Sequence, residues 1–268
     1  MAYQSLIMER KNAIATVTLN RPDVGNAFNK ELMKELDDAF KEISLDESIW
    51  AVILTGAGKH FSSGIDLSLF SSLGDAAAAV EESEGETYAE GTLAATVIRI
   101  RSMGKPVIAA INGAAIGAGI GLALACDIRI ASDKARFSTI FVKRAIAPDS
   151  GSSFTLPRVI GLPRAYEFMF TGDVIDAAEA DRIGLVNRIV PHDDLMKAVT
   201  ELAEKIAKNP PLAVAIAKEA LNRGVTETDI KEQIKYEVGL QSRLLKTEDF
   251  MEAASAFLEK REPIFKGK

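Results

Sequence analysis

The stretch KPVIAAINGAAIGAGIGLALACD (105–127) governs how the rest of this 268-residue chain is read. Val107 to Ile111 is a short apolar run bounded by Pro106 and by Asn112-Gly113. It is too brief for a helix and reads as a buried strand. Gly117, Gly119 and Gly121 then open an apolar helix that ends near Cys126. A turn dense in glycine lets backbone approach backbone or ligand closely, and the first turn of a helix presents N–H groups without carbonyl partners. Such donors favour a negative charge. Further along, Pro148-Asp149-Ser150-Gly151 sets one carboxylate in a segment otherwise lined by Phe141, Ile146 and Ala147. An anion-stabilising helix start with a lone acid among apolar residues points to proton chemistry on a carbonyl compound.

Three other readings of the same stretch compete. Only Asn112 is strongly polar between Pro106 and Cys126, a length that could cross a bilayer. The packed glycines, the immediate Asp127 and Arg129, and the ordinary surroundings argue against a span. A strand followed by GAGIG resembles a dinucleotide fingerprint but lacks its last glycine spacing and sits mid-chain. The glycines could also serve helix packing alone, without a ligand.

At 47% hydrophobic and 26% charged, the chain can bury a sizeable core, as one large domain or a core with a small appendage. The net charge of −6, with no basic tract long enough to track a phosphate backbone, argues against a nucleic-acid partner. Cys126 is the sole cysteine, so no internal disulfide can form, in keeping with a reducing cytosol and a cytoplasmic protein. Residues 1–20 alternate and predict no signal peptide. His60 and His192 lack ligand-like spacing, so no zinc site is expected.

In chain order, Ile14, Val17 and Leu19 mark an early strand ending at Asn20-Arg21-Pro22. From Asn29 a helix carries Leu32, Leu36, Ala39, Phe40 and Ile43 on one face. Trp50 to Leu54 is a second buried strand, and GKHFSSGIDL after it is a loop around Gly64. Residues 71–104 read as partly helical, interrupted by Gly74, Gly85 and Gly91; Glu81, Glu82, Glu84 and Glu86 form a solvated acidic face. Asp176 caps a helix with Glu179 at the reciprocal position and Gly184 at its end, and Leu185 to Val190 forms a strand. Residues 192–208, 212–223 and 226–260 read as helices, interrupted at Pro210-Pro211. Strands alternating with helices and then a helical tail argue an α/β fold.

The motifs NRPDVGNAF (20–28), HFSSGIDL (60–67), the stretch 105–127, TGDVIDAAEADRIGLVNRIV (171–190) and AFLEKR (256–261) together resemble the enoyl-CoA hydratase/isomerase, or crotonase, superfamily over nearly the whole chain. The resemblance implies a spiral of ββα units with a C-terminal helical region. It divides the chain into an acyl-CoA-binding core, residues 1–195, and a helical trimerisation region, residues 196–268. It implies an acyl-CoA thioester substrate, a homotrimer or dimer of trimers, and no cofactor beyond the coenzyme A of the substrate. It also places the oxyanion donors at the N–H groups of Ile65 and Ala118, whose side chains need not be polar. Val24 with Ser63, Gly64, Ile65, Asp66, Leu67 and Ser68 would hold the coenzyme, Phe141 would line the acyl pocket, and Phe257 and Lys260 would touch the nucleotide end, sometimes of a neighbouring subunit.

Two departures narrow the reaction. Hydratases of this superfamily deliver water with two glutamates, whose positions are Gly121 and Phe141 here. Asp149 matches instead the catalytic aspartate of dienoyl-CoA isomerases and of the ring-opening isomerases of phenylacetate degradation, and PDSGSSFTLPRVIG resembles the latter most. The expectation is therefore an isomerase with Asp149 as its base, its pKa raised by burial near Phe141 and Phe154. The alternatives are a hydratase-type member with weak or no hydration, and an inert CoA-binding subunit.

Overall fold

The computed structural model describes residues 3–70 and 90–268. Among these residues, ten strands form two sheets. The larger runs β1 (Leu6–Lys11), β2 (Ile14–Leu19), β3 (Ala51–Gly56), β5 (Val107–Ile111), β7 (Ile128–Ser132), β10 (Arg188–Val190). The smaller runs β4 (His60–Ser62), β6 (Ala114–Ile116), β8 (Arg136–Ser138), β9 (Ile175–Asp176). Only β1–β2 and β8–β9 are antiparallel; the other pairs are parallel. The chain therefore spirals. Each of β3, β5 and β7 belongs to the large sheet, and the next strand, β4, β6 or β8, turns into the small one before a helical segment returns the chain.

Alternation along the strands explains the layering. Val52 and Leu54 pack into the main core with Leu32, Leu36, Phe40 and Ile43 of the helix Lys30–Leu45. Ala51 and Ile53 face the other way and pack on Leu195, Val199 and Ala203 of the helix Leu195–Ala207. Successive side chains of a strand point to opposite faces, so a parallel sheet covered on both sides must be apolar throughout. β3 and β5 are buried at every position.

The C-terminal helices Pro211–Gly224, Ile230–Leu244 and Glu248–Glu259 lean on this core through few buried residues. The main anchor is Lys218. Its ammonium donates to Ile100 O at 2.7 Å, to Lys105 O at 3.0 Å and to Asp127 Oδ2 at 2.8 Å. Desolvation lowers its pKa, and the neighbouring Asp127 carboxylate opposes that shift. Large apolar side chains on these helices stay open, among them Leu221, Ile230, Val238 and Leu258.

Several expectations need correction. β1 was not foreseen: it ends in Glu9-Arg10-Lys11, all exposed, and buries only Leu6 fully, while its partner β2 supplies the apolar signal. The strand at Leu185–Val190 is shorter, Arg188–Val190, because Leu185 and Val186 are buried in a turn against the core. Residues 226–260 are two helices, separated where Thr247 caps the second through Phe250 N. Asp176 does cap its helix by accepting from Glu179 N at 2.9 Å, but the Glu179 carboxylate turns to Arg182 rather than back to the cap. The acidic run Glu81, Glu82, Glu84 and Glu86 lies outside the described residues.

Candidate active site

Gly64 lets two loops meet. Its φ of +98° is left-handed, and a Cβ there would lie 2.8 Å from Ile116 O and 3.7 Å from Ala118 N. Any side chain would hold the Ser63–Asp66 loop away from the start of the helix Ala118–Ala125. On one side, Phe28 N donates to Gly64 O at 2.8 Å and Asp66 N to Phe28 O at 3.0 Å, straddling Ile65. On the other, Ala118 is the first residue of its helix, after Gly117 at φ 54°. Among the described residues neither Ile65 N–H nor Ala118 N–H has a hydrogen-bond acceptor. Both flank one cavity of about 520 Å³.

This cavity joins most of the residues expected from the sequence. Val24, Ser63, Gly64, Ile65, Asp66, Leu67, Ala118, Phe141 and Asp149 all line it. Ile116, Ile140 and Ile146 make it largely apolar, and Arg144 adds a cation. Ile140 and Arg144 escape sequence reading because they lie in no motif; the tight turn Phe141–Arg144 brings them in.

Three expected residues lie elsewhere. The Ser68 N–H and hydroxyl are bound to Asp66 Oδ1 at 3.0 and 2.8 Å, and Ser68 does not reach the cavity. Phe257 is 84% exposed and Lys260 forms the left-handed end of the last helix. Neither lines the cavity within this chain, since the C-terminal helices run along another face. Phe154 does not enclose Asp149 either. It lines a different cavity, with the Arg158 guanidinium over its ring at 3.6 Å.

Asp149 is both a turn residue and a cavity residue. Its carbonyl accepts from Ser152 N at 2.9 Å and Ser152 Oγ at 2.7 Å, which fixes the backbone and frees the carboxyl for the cavity. The residue keeps accessible surface, yet protein crowds the carboxyl and strips away water. That desolvation raises its pKa above the ordinary 3.8, against a smaller lowering by the Ser150 hydroxyl. No cation pairs with it among the described residues. Two free N–H donors beside an unpaired, hard-to-ionise carboxylate can hold an oxyanion and move a proton.

Cys126, by contrast, is fully buried, and its thiol is pushed up to about 12, mainly by desolvation, so it is chemically silent. No helix among the described residues is long and apolar enough to cross a membrane.

Comparison with known proteins agrees with this geometry. A short-chain-enoyl-CoA hydratase of Clostridium acetobutylicum is 41% identical over 263 residues, 97% of each chain. A crotonyl-CoA hydratase of Syntrophomonas wolfei is 38% identical over 267 residues, 99% of each chain. The crystal structure of an enoyl-CoA hydratase from Bacillus anthracis superposes with a TM-score of 0.90 at 35% identity, covering 99% of this chain and 100% of that one. The family model described as enoyl-CoA hydratase/isomerase matches residues 9–268, and the chain belongs to that family, whose crotonase fold it shares and whose members act on acyl-CoA thioesters.

Proposed function

We propose that this enzyme moves a double bond within an acyl-CoA, with Asp149 carrying the proton. The observation behind the reading is that Asp149 is the one cavity carboxylate without an ion-pair partner among the described residues, because Asp66 is held by Arg21. The thioester oxygen would accept from Ile65 N–H and Ala118 N–H. Asp149 would take a proton from the α or γ carbon, leaving a dienolate whose charge sits between those donors. The same carboxyl would then return the proton to the other carbon. Val24 and the Ser63–Leu67 loop would hold the coenzyme. One acid suffices for a shift along one face of the substrate, whereas adding water asks for a second group.

The PDSGSSFTLPRVIG segment favours a member near the ring-opening isomerases. Hydration is the second reading, favoured by relatives that are named hydratases. Against it stand Gly121 and Phe141, which offer no group to activate water. The third is an inert CoA-binding subunit, favoured by the same two positions.

The exposed apolar faces of residues 196–268 would be covered in a homotrimer or dimer of trimers built on the 1–195 core. There Phe257 and Lys260 would reach a neighbour's coenzyme. Incubating the purified protein with 3-enoyl-CoA and with crotonyl-CoA separates the readings. Formation of 2-enoyl-CoA with deuterium uptake from heavy water supports isomerisation; efficient 3-hydroxyacyl-CoA formation without it replaces the proposal by hydration.

A further inference from the structure

Among the described residues, Ile65 makes no backbone hydrogen bond through its own N–H; its loop is tied to the Gly25–Phe28 segment by Ser63 N–H to Gly25 O, Phe28 N–H to Gly64 O and Asp66 N–H to Phe28 O. Its segment meets the Ala27–Phe28 segment through one isolated parallel bridge, Phe28 with Ile65, outside any strand. A single bridge lacks the ladder that stabilises a sheet strand. Yet an oxyanion donor works only if its N–H is aimed to within a fraction of an ångström.

The Ser62 and Ser63 hydroxyls donate across to Asn26 O and Val24 O before Ile65, and Arg21 joins the two segments on the far side of it, at Asp66. The Arg21 guanidinium donates through Nη1 to Ala27 O on one and to Asp66 Oδ2, at 2.9 Å, on the other. The other Asp66 oxygen accepts Ser68 N–H and Ser68 Oγ–H, so the carboxylate cannot pivot. Arg21 is itself fixed: its N–H donates to Asn26 Oδ1 at 2.9 Å, and its carbonyl accepts from Asn26 N at 2.8 Å. Asn26 in turn donates to Ala57 O and His60 O, tying this loop to the turn before β4 and to the first residue of that strand. The two side chains are only 21% and 16% exposed.

We propose that Arg21 is a positioning residue: through Ala27 O and the Asp66 carboxylate it sets the aim of Ile65 N–H into the cavity. Ser68, first, and then Arg21 hold the Asp66 carboxyl down to about 2, so the clamp keeps its charge throughout any working pH range. Asp66 touches the cavity wall but acts here on the backbone of its neighbour. The inference rests on Ile65 N–H being an oxyanion donor.

The test joins kinetics on 3-enoyl-CoA to the infrared carbonyl stretch of bound butyryl-CoA, isotope-labelled at the thioester carbon. Wild type should lower that frequency relative to free butyryl-CoA. In Arg21→Met and in Asp66→Asn the frequency should return toward the free value. With it, kcat should fall about 10- to 100-fold, as for a donor displaced by a fraction of an ångström, and in Arg21→Met, whose side chain does not line the cavity, KM should change little. Asp66→Asn keeps the size and can keep a Ser68 contact, so it decides the matter if Arg21→Met does not fold. Variants that retain the wild-type frequency and kcat, or that lose activity through KM alone, overturn the positioning role. A wild-type protein that shifts no carbonyl overturns the oxyanion reading itself, a result distinct from the first.

Discussion

A Cβ on Gly121 would stand 2.6 Å from the Cβ of Ser150, closer than two such carbons can approach. The helix Ala118–Ala125 and the Asp149 loop are thus packed backbone to side chain, at the position that the family resemblance gives to a hydratase glutamate. Ser150, at φ 51°, occupies that space, and the same turn delivers Asp149 to the cavity. The absence of one acid and the placement of the other are a single packing event.

Gly121→Glu should therefore not create a hydratase. The new side chain has to push the Ser150 turn outward and carry Asp149 with it, a displacement that can cost about 10²-fold in rate. Overpacking should also lower stability by about 1–3 kcal/mol. Parallel assays of 3-enoyl-CoA isomerisation and crotonyl-CoA hydration check this; a gain in hydration with isomerisation intact would mean the turn is softer than the packing implies.

Asp149→Asn keeps the size of the side chain and removes the base. Isomerisation should fall by at least about 10²-fold, because general acid–base catalysis is worth about 10²–10⁴ and one group makes both transfers. Acyl-CoA affinity, read by calorimetry, should change little. Deuterium exchange as fast as in wild type would reduce Asp149 to its turn role.

The acid limb of the rate profile follows from the same carboxyl. The base works when deprotonated, and desolvation raises its pKa above 3.8, so kcat/KM should fall as pH drops through a value higher than that of an ordinary aspartate. Desolvation of a group that ionises less readily in the fold also costs stability above the unfolded pKa, a cost relieved as pH falls. In Asp149→Asn this limb should disappear from the residual activity. An unchanged limb would assign it to another group.

Ala118→Pro tests the second donor without dismantling its helix. Ala118 is the first helical residue, a position where proline is tolerated because its N–H is not used inside the helix. Loss of one oxyanion donor should lower kcat about 10²- to 10³-fold. Circular dichroism should show the fold retained. A folded variant with full activity would remove Ala118 N–H from the mechanism.

Lys218→Met examines the joint between the core and the C-terminal helices. The change strips a nearly buried ammonium from Asp127 and leaves two carbonyls without their donor. A loss of about 3–5 kcal/mol is expected in urea unfolding, the usual penalty for breaking a buried pair by removing one partner. A change below about 1 kcal/mol, the value of an exposed pair, would show that the joint is solvated.

Much of the architecture was legible because its signals are local. Leu32, Leu36, Phe40 and Ile43 recur at helical spacing, and the predicted helix from Asn29 matches Lys30–Leu45 with Asn29 accepting from Leu32 N. The uninterrupted apolar run Val107–Ile111 gave a fully buried strand at the expected residues. β6 and β9 were not legible: each has two or three residues, and their pairing partners lie 30 or more positions away in several cases, as for Phe137 with Ile175. Arg144 carries no periodic signal and enters the cavity because the Phe141–Arg144 turn folds back on itself.

The sequence by itself determined the chemistry on offer: a glycine-rich helix start, one acid in PDSG, and no acid at Gly121 or Phe141. Residue type and local spacing are sufficient for that, since backbone conformation and helix periodicity depend on near neighbours. Only the tertiary structure decided that Ile65 N–H and Ala118 N–H flank one cavity, that Ser150 fills the space beside Gly121, and that Phe154, Phe257 and Lys260 stand outside. Those outcomes depend on which loops the two sheets bring together, and such long-range contacts are set by packing of the whole core rather than by any short stretch.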